Sequence, residues 1–421
     1  MLKRVALSEL ETGMYVHKML GGWLDHPFWK AKFLIGDANR LETLRASRLE
    51  GVIIDTAKGK DIRLADEATP AAAVRTGSKA APGRIGALRQ RKSIEPPPIM
   101  PTSTAQEVQA AEHIAGAAQK SLSRAFLAAR LGKALNVRAV EPVVRDVYDS
   151  VRRNPQAFSG LMRCKLSNEF VYRHALAVSA LMVSLAARMK LSDHETYQAG
   201  MAGLFLDIGT NYLPKEIAPA NGDYRNAGAK IWEQHVVLGH RALENEGTVP
   251  RPVLEACLHH HERMDGTGFP KGLKADDIGQ LARMAALCDS FDYMLTDSAG
   301  SSPLDPAQAV RKLVEMEGAF DPVILRQFIE SVGLYPVGSF VRLRSERIAM
   351  VIDEDKEANA KPVVQAFYSL ATGKKMKPLR IILADSDEED EIVDIADLSG
   401  LDLEAQERLR EVLFLGAHSS G

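Results

Sequence analysis

A helical pattern continues almost without interruption from Ala105 to about Leu334, and it constrains the fold more than any other feature of the sequence. Apolar residues recur there with the 3.6-residue period of an amphipathic helix, and strand-like runs are nearly absent. The chain has 421 residues, which leaves room for about two to four domains of ordinary size. We therefore expect one large helical domain over residues 105–335, with smaller parts on either side.

The segment before this domain divides into a module and a linker. Residues 1–65 mix short β-like runs with a helix-like stretch from Asn39 to Leu49, which predicts a small α/β module. Residues 66–104 are rich in proline and alanine and contain almost no large apolar side chains. Such a segment buries too little surface to offset its ordering entropy, so we predict a linker.

The segment after the helical domain changes to a strand pattern. Apolar runs over residues 336–384 predict a small antiparallel β appendage. Seven acids then fall in the ten residues from Asp385 to Asp394, which is typical of a solvated segment, and a short helix is expected from about Asp402 to Leu415. Residues 385–421 are thus predicted to be an acidic segment and a terminal helix, and the fold class of the whole chain is mainly α.

Charge and hydropathy exclude several functions. Lys and Arg total 53 and Asp and Glu total 55, so the chain lacks the excess of cations that DNA, RNA or an anionic membrane requires. The longest uncharged stretch near the centre, Ala175 to Ala187, is too short to span a bilayer, and Glu9 and Glu11 interrupt any signal peptide. We expect a cytoplasmic protein without a membrane span.

Histidine is unevenly distributed along the chain. Seven of the 11 histidines fall between His174 and His261, and His174 shares a helix face with apolar residues, which predicts that it points inward. Neutral imidazole and carboxylate are the usual ligands of Zn, Fe, Mn and Ni ions. A single histidine on an apolar face is more often an ordinary core residue, so the metal hypothesis depends on several helices acting together. The candidate ligands are His174, Asp207, His235, His260, His261 and Asp289.

Four separated motifs occur in the order found in one known family. They are Leu204–Gly209, His259–Pro270, Ala286–Asp292 and Gly318–Pro322. Together they resemble the HD-GYP family of bacterial phosphodiesterases, which act on cyclic di-GMP. The resemblance covers about residues 169–322, and the N-terminal module is similar to the small domain that often precedes HD-GYP domains. It implies an all-helical HD-type domain whose ligand is cyclic di-GMP or a related nucleotide.

This resemblance also assigns roles to the candidate ligands. The family's helical pocket holds two or three metal ions, often iron or manganese, and Asp207 would be the catalytic residue that bridges them. The ions would lower the pKa of an attacking water and stabilise charge on the phosphoryl oxygens, so the implied reaction is phosphodiester cleavage. The other matches are His174 as the first histidine, His235 as the histidine of the middle helix, His260 and His261 as the adjacent pair, and Asp289 as the late aspartate.

One ligand of the family is missing from this sequence. Where HD-GYP proteins have His-Asp, the chain has Leu206 and Asp207, and leucine cannot coordinate a metal. Because of this loss we expect one divalent ion, iron or manganese. Three protein ligands with an open position can suffice for a catalytic ion, so we keep two ions as the alternative. The complete set is Asp207, His235, His260 and His261, and the set reduced to three is His174, Asp207 and Asp289.

Positive charge near the substrate is also reduced. The lysine that usually follows the His-Asp-Ile-Gly step is Thr210 here, and the arginine-rich segment after the late aspartate reads Thr296 to Ser302 without a cation. Each lost charge-assisted hydrogen bond to a phosphate diester removes roughly 1.5 to 3 kcal/mol. We therefore expect substrate binding to be weaker or different.

The loop after the adjacent histidines keeps the family's shape, with phenylalanine in place of tyrosine. Its glycines allow positive φ and close backbone approach, and its proline fixes the exit. The loop is either a rigid turn between helices or, as the resemblance implies, the rim of the pocket and a contact for diguanylate cyclase-type partners. Its residues are Asp265, Gly266, Gly268, Phe269 and Pro270.

Three functions are consistent with these residues. The first is an active phosphodiesterase that hydrolyses cyclic di-GMP to pGpG and GMP despite Leu206. The second is a member with an incomplete site, in which hydrolysis is weak or lost and which acts by binding nucleotide or a partner protein. The third is a phosphohydrolase of the wider HD superfamily with another substrate. Three separate losses at one pocket favour the second function, and the Gly-Phe-Pro loop argues against the third.

Overall fold

The computed structural model describes residues 2–20, 33–36, 38–45, 51–60, 100–131, 136–165, 170–214, 229–296, 302–354, 361–385 and 390–419. The chain forms two compact units, Met1–Pro98 and Ile99–Gly421. Residues 66–99 of the predicted linker lie outside the described residues. Its last residues belong to the second unit, because the Ser103 side chain caps the first helix there and the Thr102 hydroxyl donates to the buried carboxylate of Glu107.

In its described residues, the first unit is a four-stranded antiparallel sheet with one α-helix. Its strands have the order β1-β4-β2-β3, and Val5 of β1 lies opposite Val52 of β4. Alternate side chains of the strands point to one face, where they form a buried core with Leu44 of the helix. The bounds are β1 Leu2–Val5, β2 Tyr15–Leu20, β3 Phe33–Leu34, α1 Ala38–Arg45 and β4 Gly51–Asp55.

Helices make up most of the second unit. Several begin at a capping residue followed by proline, an arrangement that satisfies the first free amides and presets the backbone φ. Asn154, Asp305 and Asp321 cap α4, α11 and α12 in this way. The bounds are α2 Thr104–Arg130, α3 Glu141–Arg153, α4 Pro155–Cys164, α5 Phe170–Arg188, α6 Asp193–Phe205, α7 Ala229–Trp232, α8 Gln234–Asn245, α9 Arg251–His259, α10 Gln280–Met294, α11 Pro306–Glu315 and α12 Pro322–Val332.

Helix α5 lies at the centre of this unit. It packs against α3, α4, α6, α10 and α12, and every residue from His174 to Ala186 is buried. The long uncharged stretch in the sequence is therefore a core helix, which needs no charge because it has no solvent face. As predicted, this position places His174 in the interior of the helical domain.

A five-stranded antiparallel sheet follows the helices, in the order β8-β7-β6-β5-β9. Its fifth strand lies inside the segment predicted to be acidic and solvated, so the sheet extends past the boundary expected at residue 384. Ile392 and Ile395 of this strand are partly buried, whereas Val393 is exposed, and the strand pairs with β5. The bounds are β5 Phe340–Leu343, β6 Arg347–Asp353, β7 Val363–Ser369, β8 Lys374–Ile382 and β9 Ile392–Ile395.

The terminal helix α13, Gln406–His418, begins and ends slightly later than predicted. It packs against α2, α4 and β6, buries Phe414 and places the His418 imidazole 3.0 Å from the Ile352 carbonyl oxygen. The predicted fold class is confirmed, since a mainly helical domain lies between a small α/β module and a small β sheet. Within the described residues, every helix falls short of the combined length and apolar character that crossing a bilayer requires.

Candidate metal centre

The six predicted ligands come together in one buried cluster inside the helical unit, although they lie on five different elements. None of them is more than 9% exposed. Their ligand atoms form two groups that share Asp207, and within each group these atoms lie within 4.8 Å of one another. The residues are His174 on α5, Asp207 after α6, His235 on α8, His260 and His261 after α9, and Asp289 on α10.

A glycine contact brings Asp207 next to His235. Asp207 begins a 3-10 helix, Ile208–Tyr212, that packs directly on α8. A Cβ atom at Gly209 would overlap the carbonyl oxygen of His235 and would come within 2.6 Å of the Gly239 amide. Only glycine permits this approach of the two backbones, so the glycine of the Leu-Asp-Ile-Gly motif helps to build the centre.

The first ligand group directs imidazole nitrogens and a carboxylate oxygen toward one point. The Nδ1 atoms of His235 and His260 donate to the carbonyl oxygens of Trp232 and Cys257, at 2.5 and 2.9 Å. Their Nε2 atoms point inward, 3.4 Å apart and 3.3 and 3.7 Å from Asp207 Oδ1. In a neutral imidazole whose Nδ1 carries the proton, Nε2 presents the lone pair that binds a metal ion.

Two further features fit a divalent ion in this four-ligand group. Asp207 Oδ1 and His261 Nε2 are buried and have no hydrogen-bond partner in the described part of the chain. Burial strongly lowers the pKa of His261, which keeps its imidazole neutral, as a metal ligand must be. Nitrogen and oxygen donors of this kind suit iron, manganese or zinc.

The second ligand group has carboxylates on both sides of His174. Its Nε2 atom lies 3.1 Å from Asp289 Oδ1 and 3.5 Å from Asp207 Oδ2, and its Nδ1 atom lies 2.7 Å from Asp292 Oδ2. Burial lowers the pKa of this imidazole, but the hydrogen bonds to Asp289 and Asp292 outweigh it and raise the pKa to about 10. Positive charge is thus favoured at this point, and Asp292 orients the ring as an outer carboxylate does in metal sites.

Asp207 connects the two groups through its two carboxylate oxygens. Oδ1 faces the imidazoles of His235 and His260, whereas Oδ2 faces His174 and accepts a hydrogen bond of 3.0 Å from the Tyr293 hydroxyl. Burial raises the pKa of Asp207, but the surrounding histidines hold it well below its usual value. The carboxylate is therefore ionised and oriented as a bridge between two positions.

We predict that Tyr293→Phe weakens the binding of an ion at the His174 group without affecting the four-ligand group. The variant removes only the hydroxyl that orients Asp207 Oδ2, and loss of such an outer partner costs about 10- to 100-fold in metal affinity. Calorimetric titration with Mn²⁺ measures both sites. Tyr335→Phe makes the same change away from the ligands and should leave both affinities at the parent values. Unchanged binding in Tyr293→Phe would show that the hydroxyl does not orient the bridge.

The residues that depart from the family pattern have other contacts here. Leu206 is 1% exposed at the end of α6, and its carbonyl oxygen accepts from the Cys257 thiol at 3.5 Å. The Thr210 hydroxyl donates to the Asp207 carbonyl oxygen at 2.7 Å. Residues 297–301 lie outside the described residues. At the start of that segment, Arg173 of α5 donates to the Thr296 hydroxyl at 3.3 Å, so another helix brings a cation to this end of α10.

The Gly-Phe-Pro loop is fixed against the adjacent histidines. The buried carboxylate of Glu262 accepts from the amides of Lys271 and Leu273 at 2.8 and 3.0 Å, which ties down the far end of the loop. A Cβ at Gly268 would overlap the carbonyl oxygen of His261. The Phe269 ring stacks on His261, with centroids 4.7 Å apart.

The remaining loop residues make local contacts at the surface. Gly266 has φ +82°, a conformation that favours glycine. The Asp265 carboxylate accepts from the Thr267 amide at 2.9 Å, and both side chains are exposed, as is Pro270. The loop therefore combines one ring that covers a ligand with an exposed polar turn.

Several residues that complete the centre were not among those predicted from the sequence. Asp292 lies three residues after Asp289 on α10, and this spacing, which puts both carboxylates on one helix face, was a sequence pattern that could have revealed it. No such pattern marks Tyr293, Trp232 and Glu262, because their roles depend on contacts between separate elements.

Comparison with known proteins gives two family matches and several relatives. A model described as HD domain matches residues 159–324, and one described as Domain of unknown function (DUF3391) matches residues 2–140. Cyclic di-GMP phosphodiesterase PA4108 of Pseudomonas aeruginosa is 36% identical over 383 residues, which are 91% of this chain and 89% of that protein. Cyclic di-GMP phosphodiesterase of Thermotoga maritima is 29% identical over 164 residues, 38% of this chain and 44% of that protein. The solved structure of Bd1817, a HDG"Y"P protein from Bdellovibrio bacteriovorus, aligns with TM-score 0.44 and 17% identity over 78% of this chain and 98% of that one.

Proposed function

This chain belongs to the HD-GYP family of HD-domain proteins, and we propose that its metal centre binds cyclic di-GMP and cleaves it slowly, with one ion held tightly and a second held weakly. The relatives named above as cyclic di-GMP phosphodiesterases support this substrate. The metal proposed is iron or manganese, which the family resemblance implies and which imidazole and carboxylate donors suit.

The observation that carries this proposal is the division of ligands around Asp207. The four-ligand group includes no contribution from position 206 and is complete without it. The His174 group has three protein ligands, because Leu206 stands where the family supplies a histidine. An ion with fewer protein ligands dissociates more readily, so the second ion is the weak one.

The residues of the chain hold and orient whatever binds at this centre. The carbonyl oxygens of Trp232 and Cys257 fix the tautomers of two imidazoles, and Asp292 fixes the ring of His174. When bound, the metal would supply Lewis-acid stabilisation of charge on the phosphoryl oxygens. Thr210 brings no cation to these oxygens, since its hydroxyl caps the turn of Asp207, and transition-state stabilisation is correspondingly reduced.

A second candidate, a phosphodiesterase of full activity, is favoured by one specific observation. The three residues of the His174 group are already in place without residue 206, and the Tyr293 hydroxyl holds the shared carboxylate toward them. If this preorganisation compensates for the missing histidine, two ions bind tightly and cleavage is fast.

Counting metal ions and assaying cleavage on the same anaerobically purified sample separates the two candidates. Elemental analysis is expected to find about one ion per chain, since a set of four protein ligands retains its metal through purification better than a set of three. Chromatography of the linear product should show slow cleavage in that sample. Two retained ions with rapid cleavage would establish the second candidate instead.

The Gly-Phe-Pro loop is also proposed to bind a protein partner. Its exposed residues Asp265, Thr267 and Pro270 are available to a protein partner, and the partner class implied by the resemblance is a diguanylate cyclase. This role stays a prediction.

A further inference from the structure

We propose that the Trp232 ring is a stacking platform for a purine base of the bound nucleotide, which makes Trp232 a nucleotide-binding residue beside the metal centre. This inference rests on the proposed function, because it assumes that the phosphate of the nucleotide binds at the ligand cluster. Trp232 belongs neither to the ligand groups nor to the four motifs that carry the family resemblance.

The position of Trp232 is tied to the ligands themselves. Its carbonyl oxygen accepts from His235 Nδ1, so the residue cannot shift without disturbing a ligand. Its ring centroid lies 4.8 Å from that of His235 and 4.6 Å from that of His261. The indole therefore lies in direct contact with two imidazoles of the four-ligand group.

Two other aromatic rings surround the indole edge-on. The ring centroid of Phe269 lies 5.6 Å from it, with the planes at 70°, and that of Tyr293 lies 6.4 Å from it, at 85°. All three residues are partly exposed, whereas the ligand imidazoles that they contact are buried. The three rings thus form an aromatic rim between the ligands and solvent.

The indole is only partly buried, so it can be reached from solvent beside the ligand imidazoles. Nucleobases stack on tryptophan through their π faces, and in a nucleotide only a ribose separates the base from its phosphate. A phosphate at the ligand cluster therefore brings its base within reach of the rim. Phe269 has no hydroxyl and the Tyr293 hydroxyl already donates to Asp207, so the contact that we assign to this rim is stacking on ring faces.

Binding of mononucleotides to the metal-loaded full chain tests this proposal without relying on turnover. GMP carries both phosphate and base and is not cleaved by a phosphodiesterase, whereas inorganic phosphate carries no base. By calorimetry, Trp232→Leu is expected to weaken GMP binding about tenfold and to leave phosphate binding and metal content unchanged. AMP should be weakened as much as GMP, because stacking is tolerant of the base.

Trp232→Phe provides the matched control, because it keeps an aromatic face but removes the indole fluorophore. It should retain most of the GMP affinity, while the quenching of tryptophan fluorescence that GMP causes in the parent protein should disappear. If Trp232→Leu leaves GMP affinity unchanged, weakens GMP and phosphate equally, or loses its metal, the ring is structural and the proposal is wrong. Persistent quenching in Trp232→Phe would also overturn it. A chain that binds GMP through Trp232 but cleaves nothing would refute the proposed function and leave this inference intact.

Discussion

Replacing Asp207 with asparagine is expected to remove metal from both ligand groups and to abolish cleavage of cyclic di-GMP. One carboxylate oxygen of Asp207 faces His235 and His260 and the other faces His174, so this residue alone belongs to both groups. Loss of an outer partner already costs about 10- to 100-fold in metal affinity, and loss of the shared ligand should cost more than about 100-fold. Asparagine keeps the volume of the side chain, so the fold is expected to persist.

Elemental analysis and product chromatography measure these two losses, and circular dichroism checks the fold. Asp276→Asn is the matched control, because it removes the same charge from an exposed carboxylate of the helical unit. Metal content in this control should equal that of the parent protein. If Asp207→Asn still retains one ion per chain, the ligand groups do not share Asp207 in the way described above.

The second large effect is a gain in bound metal. Leu206→His is expected to restore a second tightly held ion, because it returns an imidazole to the position before Asp207 where the family supplies one. A fourth ligand should tighten the second ion at least about tenfold, by comparison with the smaller contribution of outer partners. The rate of cleavage should rise but should stay below that of a relative with complete motifs, because Thr210 still provides no cation for the phosphate.

Mn²⁺ titration and elemental analysis of Leu206→His measure the gain in metal, and assays of the same sample measure cleavage. Leu206→Met conserves volume and apolar character, so it should behave as the parent protein does. A folded Leu206→His variant with unchanged metal content would mean that position 206 does not face the ligands. Full activity in that variant would mean that the missing cations do not limit the reaction.

The helical domain could be predicted because its signals are local. Apolar periodicity, an uncharged core helix and caps such as Asn154 before Pro155 lie within a few residues of one another. The strand Ile392–Ile395 was missed for the opposite reason. It lies in a run of acids, and only the edge of β5, more than 40 residues away in the sequence, gives its apolar residues a partner.

The clustering of the six candidate ligands could also be anticipated, because imidazole and carboxylate are usual metal-binding groups and the motifs of the family resemblance set their order. What surrounds them could not be derived in the same way. Tyr293 reaches Asp207 from another helix, and Trp232 touches His261 only after α7 and the loop have come together. The contact of Arg173 could not be predicted from the sequence either. Arg173 is the neighbour of His174 in the chain, but its guanidinium donates to Thr296 at the end of α10.

Cleavage measured as a function of bound metal is the most direct test of the central claim, which is that one complete and one incomplete ligand group share Asp207. Metal-free protein is titrated with Mn²⁺ under anaerobic conditions, and the ions bound per chain and the rate of product formation are recorded at each step. We predict that the chain with one bound ion cleaves little, and that the rate of cleavage rises only as the second, weaker ion binds. Two ions that bind with equal affinity, or cleavage that is complete with the first ion, would contradict this account.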